Sequence, residues 1–118
     1  MEKTYSIGAL AALRFLSEAG HGDVSTAGYE CAEGKADMVC AGSESATLVF
    51  VSTKRRRGDG VDAPAVSAKK LSRIAMCYLV EHPGVSKLSC DVLSVTIGKM
   101  ATVTVSATEG AYTWEHEG

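Results

Sequence analysis

Over residues 6–19 the apolar positions are Ile7, Leu10, Ala11, Ala12, Leu13, Phe15 and Leu16, the recurrence of an amphipathic helix. Ser6 is positioned to cap it and Gly20 to end it. After Gly20 the period shortens. Residues 24–31 are mixed and turn-rich and read as a strand, residues 37–41 form a short apolar strand, and Gly42-Ser43-Glu44-Ser45 is a turn. Residues 47–53, rich in Val, Phe and Thr, are the strongest strand in the chain. Ser67 then caps a second helix reaching residue 81, with Leu71, Ile74, Ala75, Tyr78 and Leu79 along one face, and Pro83-Gly84 ends it. Residues 88–97 form a further strand, Gly98-Lys99 a turn, and residues 100–107 a last strand of alternating Val and Thr. The pattern predicts the order α-β-β-β-α-β-β, an α/β (α+β) domain with a mixed sheet. The second helix is expected to bury Leu71, Ile74 and Leu79 and to leave Lys69, Lys70 and Arg73 accessible.

Composition narrows the class. The chain has 118 residues, 46% of them hydrophobic and 22% charged, a globular balance that suits a single domain over residues 1–118. No uncharged run approaches the ~20 apolar residues that span a bilayer, so no membrane association is expected. Residues 7–13 are apolar, but Glu2 and Arg14 flank them too closely for a secretory leader, which points to the cytoplasm. Cys31, Cys40, Cys77 and Cys90 contain no Cys-x-x-Cys pair and read as reduced thiols rather than a zinc site or a disulfide framework.

Charge changes the picture more. The net charge is −2, yet Lys54, Arg55, Arg56, Arg57, Lys69, Lys70 and Arg73 stand against only Asp59 and Asp62 in the same segment. The rest of the chain is correspondingly acidic. Such asymmetry is the footprint of a surface that meets a polyanion, although a solvated basic loop and helix face would look the same. Gly58-Asp59-Gly60 marks a loop without a phosphate-binding glycine pattern.

Side chains alternate along a strand, so Ser52 and Lys54 share a face, as do Lys35 and Asp37 on the preceding strand. Pairing across the Gly42 turn would bring Asp37 and Lys54 to one end of the sheet. A carboxylate and a lysine there, followed at once by arginines, suit phosphodiester chemistry, with Asp37 holding Mg²⁺ and Lys54 steadying phosphate charge. An Asp–Lys pair on a strand edge would account for Asp37 without any chemistry. His21, His82 and His116 are scattered, and Asp91 lies mid-strand, where it could orient a neighbour or pair with a lysine.

The order of these segments resembles the small bacterial YraN family of the PD-(D/E)xK endonuclease-like superfamily. The opening helix form G-E-x-L-A-x-x-Y-L is matched from Gly8 to Leu16, and W-R-C-x-x-G-E-I-D-L from Tyr29 to Met38. The signature V-F-V-E-V-K-T-R is matched from Val49 to Arg56, and the helix entry E-A-V-T-x-x-K from Pro64 to Lys70. The strand R-F-D-V-V-A-V is matched from Ser89 to Val95 and the closing H-x-x-N-A-F from Ala107 to Tyr112. The resemblance implies a restriction-endonuclease-like mixed sheet flanked by helices and metal-dependent nucleic-acid cleavage, with Asp37, Lys54 and position 52 catalytic.

Departures from the pattern fall on the acids. Ser52 stands where the resemblance calls for Glu, Lys35 where the G-E-x-D motif has Glu, and Ala9 where the first helix carries Glu. One carboxylate beside a new lysine binds a divalent ion weakly. The expectation is therefore a nuclease-fold protein that binds duplex or branched DNA through Arg55, Arg56, Arg57, Lys69, Lys70 and Arg73, with weak or lost cleavage. The alternatives are an active Mg²⁺ endonuclease with a relocated acid, Glu33 being nearest in sequence, and an inert or artificial scaffold. A homodimer is compatible with each.

Overall fold

The computed structural model describes residues 3–20, 24–55, 67–98, 100 and 102–116, with side chains at all of these except 3–8, 54 and 55. Helix α1 (Lys3–Glu18) leads into β1 (Val24–Ser25), β2 (Tyr29–Cys31), β3 (Gly34–Ala36), β4 (Met38–Ala41) and β5 (Ser45–Arg55). Helix α2 (Ala68–Glu81) follows, then β6 (Lys87–Ile97) and β7 (Val103–Glu115). The main sheet has the order β1-β4-β5-β6-β7, and β2 pairs with β3 in a separate hairpin. β5 and β6 are parallel, while β1·β4, β4·β5 and β6·β7 are antiparallel. This is a mixed α+β architecture consistent with the restriction-endonuclease-like class. Among the described residues, no helix is long and apolar enough to cross a membrane.

The element order differs from α-β-β-β-α-β-β, because five strands rather than three separate the helices. The stretch at 24–31 divides at Gly28, whose φ of +73° sends the chain out of the main sheet and into the hairpin. A Cβ at Gly28 would collide with the Ala36 and Asp37 carbonyl oxygens. Asp37 is not the first residue of a strand but the bend between β3 and β4. β7 continues to Glu115, well past the expected end at residue 107. Helix α1 starts at Lys3, so Ser6 lies inside it rather than at its cap. Its end is as read: the Ala19 N–H donates to Phe15 O at 3.0 Å, and Gly20 follows with φ +95°.

Strand alternation divides the core into two clusters on opposite faces of the sheet. On one, α2 lays Leu71, Ile74, Ala75 and Tyr78 over Val39, Ala46, Leu48, Phe50, Leu88 and Cys90. On the other, α1 lays Ala12 and Leu16 over Met38, Cys40, Val49 and Leu93. Both faces of β5 are covered over Leu48–Val49–Phe50, which is why that strand reads as a continuous apolar run. Helix α2 is fixed at its start by Ser67, whose Oγ accepts the Lys70 N–H at 3.2 Å. Lys69, Lys70 and Arg73 are exposed, as the helix face predicts, but Leu79 is only half-buried and Tyr78 takes its expected place in the core.

Asp91 is the buried charged residue among the described core positions, at 6% exposure. Its Oδ1 accepts the Ser89 hydroxyl and the Gly110 N–H, each at 2.9 Å. The register of β6 and β7 shifts at this point, from Cys90↔Tyr112 to Val92↔Thr108, so β7 bulges around Gly110. The carboxylate supplies an acceptor that the interrupted ladder does not. Of the two roles open to Asp91, it orients neighbours.

Two outcomes follow for stability. Leu71→Ala empties a fully buried site and should lower the unfolding free energy by about 2–5 kcal/mol, with a clearly smaller loss for Leu79→Ala, both read by denaturant titration. Asp91→Ala leaves a buried N–H without its acceptor and should cost about 1–3 kcal/mol. Asp91→Asn keeps an acceptor oxygen and should cost less. Equal losses in the two Asp91 variants would show that charge, not the hydrogen bonds, is what matters there.

Candidate active-site cleft

The even-numbered residues of β5 face α2, and their chemistry changes along the strand: Ala46, Leu48 and Phe50 are buried, then Ser52 is half-buried. The opposing row on α2 changes in step, from Ile74 in the core to the exposed Lys70 one turn earlier. A cleft of about 160 Å³ opens where the two rows turn polar, with Lys35, Asp37, Ser52 and Lys70 on its walls and Phe50, Ile74 and Val92 among its apolar lining. It lies against the middle of the parallel strands β5 and β6 and the first turns of α2.

Asp37 is anchored at two points. Its N–H donates to Val49 O at 2.8 Å, and its Oδ2 accepts the Val51 N–H at 2.7 Å. The β4–β5 ladder stops at Met38↔Val49, so the carboxylate takes over as acceptor where the strand pairing ends. That bond fixes the direction of the side chain at the cleft.

The structure lines one cleft with Lys35, Asp37 and Ser52, whereas strand alternation puts Lys35 with Asp37, Ser52 with Lys54, and Asp37 toward Lys54. Lys70, read from sequence only as part of a basic helix face, also reaches the cleft. Its signal was present: it stands one turn before the core residue Ile74 and its N–H is the one that Ser67 caps. Lys54 is two residues beyond Ser52 on β5, in register with Thr96, and Arg55 is the last residue of that strand; their side chains lie outside the described set. Arg56, Arg57 and Gly58-Asp59-Gly60 also fall outside the described residues.

Helix α2 has no acidic residue in its first turn. Lys69, Lys70 and Arg73 thus add to the positive end of its dipole instead of cancelling it. Asp37 is the one carboxylate among the described residues lining the cleft, against Lys35 and Lys70. No group of three His, Cys, Asp or Glu side chains among the described residues could hold a metal ion. This donor set does not fit Mg²⁺, which binds oxygen ligands through one or two carboxylates and tolerates nearby ammonium groups poorly. Glu33 sits exposed in the turn between β2 and β3 and is not part of the described lining of the cleft.

The remaining ionisable candidates have structural roles. The His82 ring stacks on Tyr78 with centroids 3.9 Å apart, and its Nδ1 lies 2.9 Å from Tyr78 O. His116 stacks on Trp114 at 6.2 Å, while His21 lies outside the described residues. A wider groove of about 890 Å³ runs between α1 and β7, where Arg14 and Glu18 are the charged lining among the described residues.

No family model matches the chain. It is 32% identical over 88 residues to a UPF0102 protein of Nocardia farcinica, covering 71% of this chain and 68% of that one. To the UPF0102 proteins of Mycobacterium ulcerans and Mycobacterium marinum it is 31% identical over 102 residues, 81% of this chain and 83% of each relative. With that identity spread over most of both sequences, the chain belongs to the UPF0102 family, which is the YraN family.

Proposed function

We propose that this protein binds the phosphate backbone of duplex or branched DNA on a nuclease-like scaffold of the PD-(D/E)xK kind, with metal-dependent cleavage weak or lost. The observation that carries this reading is the charge of the cleft. Asp37 is flanked by Lys35 and Lys70, and Ser52 occupies the strand position where the family resemblance calls for Glu. Two ammonium groups and a helix N-terminus around one carboxylate favour a phosphate oxygen over a divalent cation.

The roles follow from that balance. Lys70 and Lys35 meet phosphate charge in the cleft, and Ser52 offers a hydroxyl donor to an anionic oxygen. Lys69 and Arg73 extend the positive surface along α2, and Lys54, Arg55, Arg56 and Arg57 precede them in the chain. Asp37, held by the Val51 N–H, orients the neighbouring lysines and excludes anions from the deepest part of the cleft. Contacts of this type read backbone, not base sequence.

Affinity should fall steeply with salt, and Lys70→Ala should flatten the log–log slope by about one, the share of a single phosphate contact. Arg55, Arg56 and Arg57 changed together to Ala should weaken duplex, forked and single-stranded DNA alike. Binding that ignores salt, or no binding at low salt, would favour the inert scaffold instead.

A second experiment separates binding from cleavage. The unmodified chain should cleave little with Mg²⁺ or Mn²⁺, whereas Ser52→Glu with Lys35→Glu should raise metal affinity and produce cleavage that Asp37→Ala abolishes. Both changes act on one site, so their effects should not simply add. Robust metal-dependent cleavage by the unmodified chain, lost in Asp37→Ala, would establish the active endonuclease and overturn this proposal.

A further inference from the structure

The β2–β3 hairpin, which carries Lys35 into the cleft and ends at Asp37, is docked on α2 from one end to the other. At its start, Tyr29 Oη donates to Glu81 Oε2 at 3.0 Å, and the Tyr29 ring meets Tyr78 edge-on with centroids 5.1 Å apart. Near its turn the approach is closer: a Cβ on Gly34 would stand 2.9 Å from Ile74 Cδ1 and 3.2 Å from Lys70 Cε. Between these points lies Cys31, the register partner of Gly34. On α2, Cys77 stands between Ile74 and Glu81 along one helical stripe, so the docking that seats Gly34 on Ile74 and Tyr29 on Glu81 sets Cys31 opposite Cys77.

Both sulfurs are only half-buried, whereas Cys40 and Cys90 are enclosed in the core. The two pairs differ in what can reach them. Burial pushes the Cys90 thiol up to about 12, with the Asp91 charge adding to it, and acts in the same direction on Cys40. The Cys77 thiol is pushed the same way, by the neighbouring Cys31 thiol first and by desolvation next, so what separates the pairs is access: Cys40 and Cys90 are enclosed and Cys31 and Cys77 are not. Cys31 and Cys77 are set opposite each other by the docking of the hairpin, belong to different elements and are both only half-buried.

We propose that Cys31 and Cys77 are a reversible oxidation site, closing to an intramolecular disulfide that clamps the hairpin wall of the cleft to α2. A hydroperoxide is the oxidant. One cysteine, as thiolate, attacks a peroxide oxygen; the O–O bond breaks, hydroxide leaves and takes up a proton, and a sulfenic acid forms. The second sulfur attacks the sulfenic sulfur, and the displaced hydroxide leaves as water with the second thiol's proton. Two thiols and one hydrogen peroxide thus give one disulfide and two waters, sulfur being oxidised and peroxide oxygen reduced. A dithiol reductant reverses the change. The bond closes the chain from Cys31 to Cys77 into a loop and restricts the free movement of the hairpin away from the helix.

The test uses the full chain treated with equimolar hydrogen peroxide, alkylated, and analysed by intact mass and peptide mapping, with amide hydrogen exchange on the same samples. The expected product has lost two hydrogens, shows a peptide pair joining Cys31 to Cys77, and returns to the starting mass with dithiothreitol. Cys40 and Cys90 should alkylate only after unfolding, and residues 29–36 should exchange more slowly in the oxidised form. Cys31→Ser and Cys77→Ser should each prevent the crosslink while keeping the fold, read by circular dichroism. Sulfinic acid on either cysteine without a crosslink, or a bridge to Cys40, Cys90 or a second chain, would overturn the site. A Cys31–Cys77 bridge without slower hairpin exchange would overturn the clamp. Neither readout involves DNA, so failure here and failure of the phosphate-binding reading are separate results.

Discussion

β5 and β6 run parallel and stay paired from Ser45↔Lys87 to Arg55↔Ile97, and two adjacent strands can do this only if the chain between them crosses back over a face of the sheet. That requirement places α2. Once the helix has to return along β5, its apolar stripe of Leu71, Ile74, Ala75 and Tyr78 must meet the same-face row of Ala46, Leu48 and Phe50. The opposite face of β5 is then left for α1. The two-sided burial of Val49 and Leu48 and the separation of the core into two clusters both descend from this one pairing. So does the location of the cleft, which opens where the rows on β5 and α2 run out of apolar residues together.

Core and cleft are therefore consecutive stretches of the same two rows. A residue that deepens the core at Phe50 or Ile74 also shapes the cleft floor, since both line it. Interiors pack densely and transmit small displacements. Stability and ligand geometry are consequently linked at these two positions more tightly than at Leu48 or Leu71, which lie farther back along the rows.

Much of this was legible in the sequence because it depends on local period. The Ser67 cap, the apolar face of α2 and the course of β5 all follow from spacing within a few residues. What was not legible depends on distant partners. The bend at Asp37 exists because its carboxylate bonds to the Val51 N–H, fourteen residues on. The short β2–β3 hairpin has too few residues to show a period of its own. β7 runs on past residue 107 because β6 supplies a partner, and the bulge at Gly110 depends on Asp91 across the sheet. Leu79 and Tyr78 are both compatible with a buried helical stripe, and only the position of the hairpin, whose Tyr29 packs on Tyr78, decides between them.

β7 is the last strand of the sheet order, and a free edge of backbone donors and acceptors invites another chain to add to it. Protein edges are commonly guarded by lysine or proline, but residues 103–108 contain neither. The guard on β7 is instead a change of shape. By drawing the Gly110 N–H inward, Asp91 interrupts the regular repeat along the edge, so an incoming strand finds a matching row on either side of Gly110 but no continuous row across it. A single buried carboxylate thus also shapes the outer edge of the sheet: the row of backbone groups along β7 is broken at Gly110.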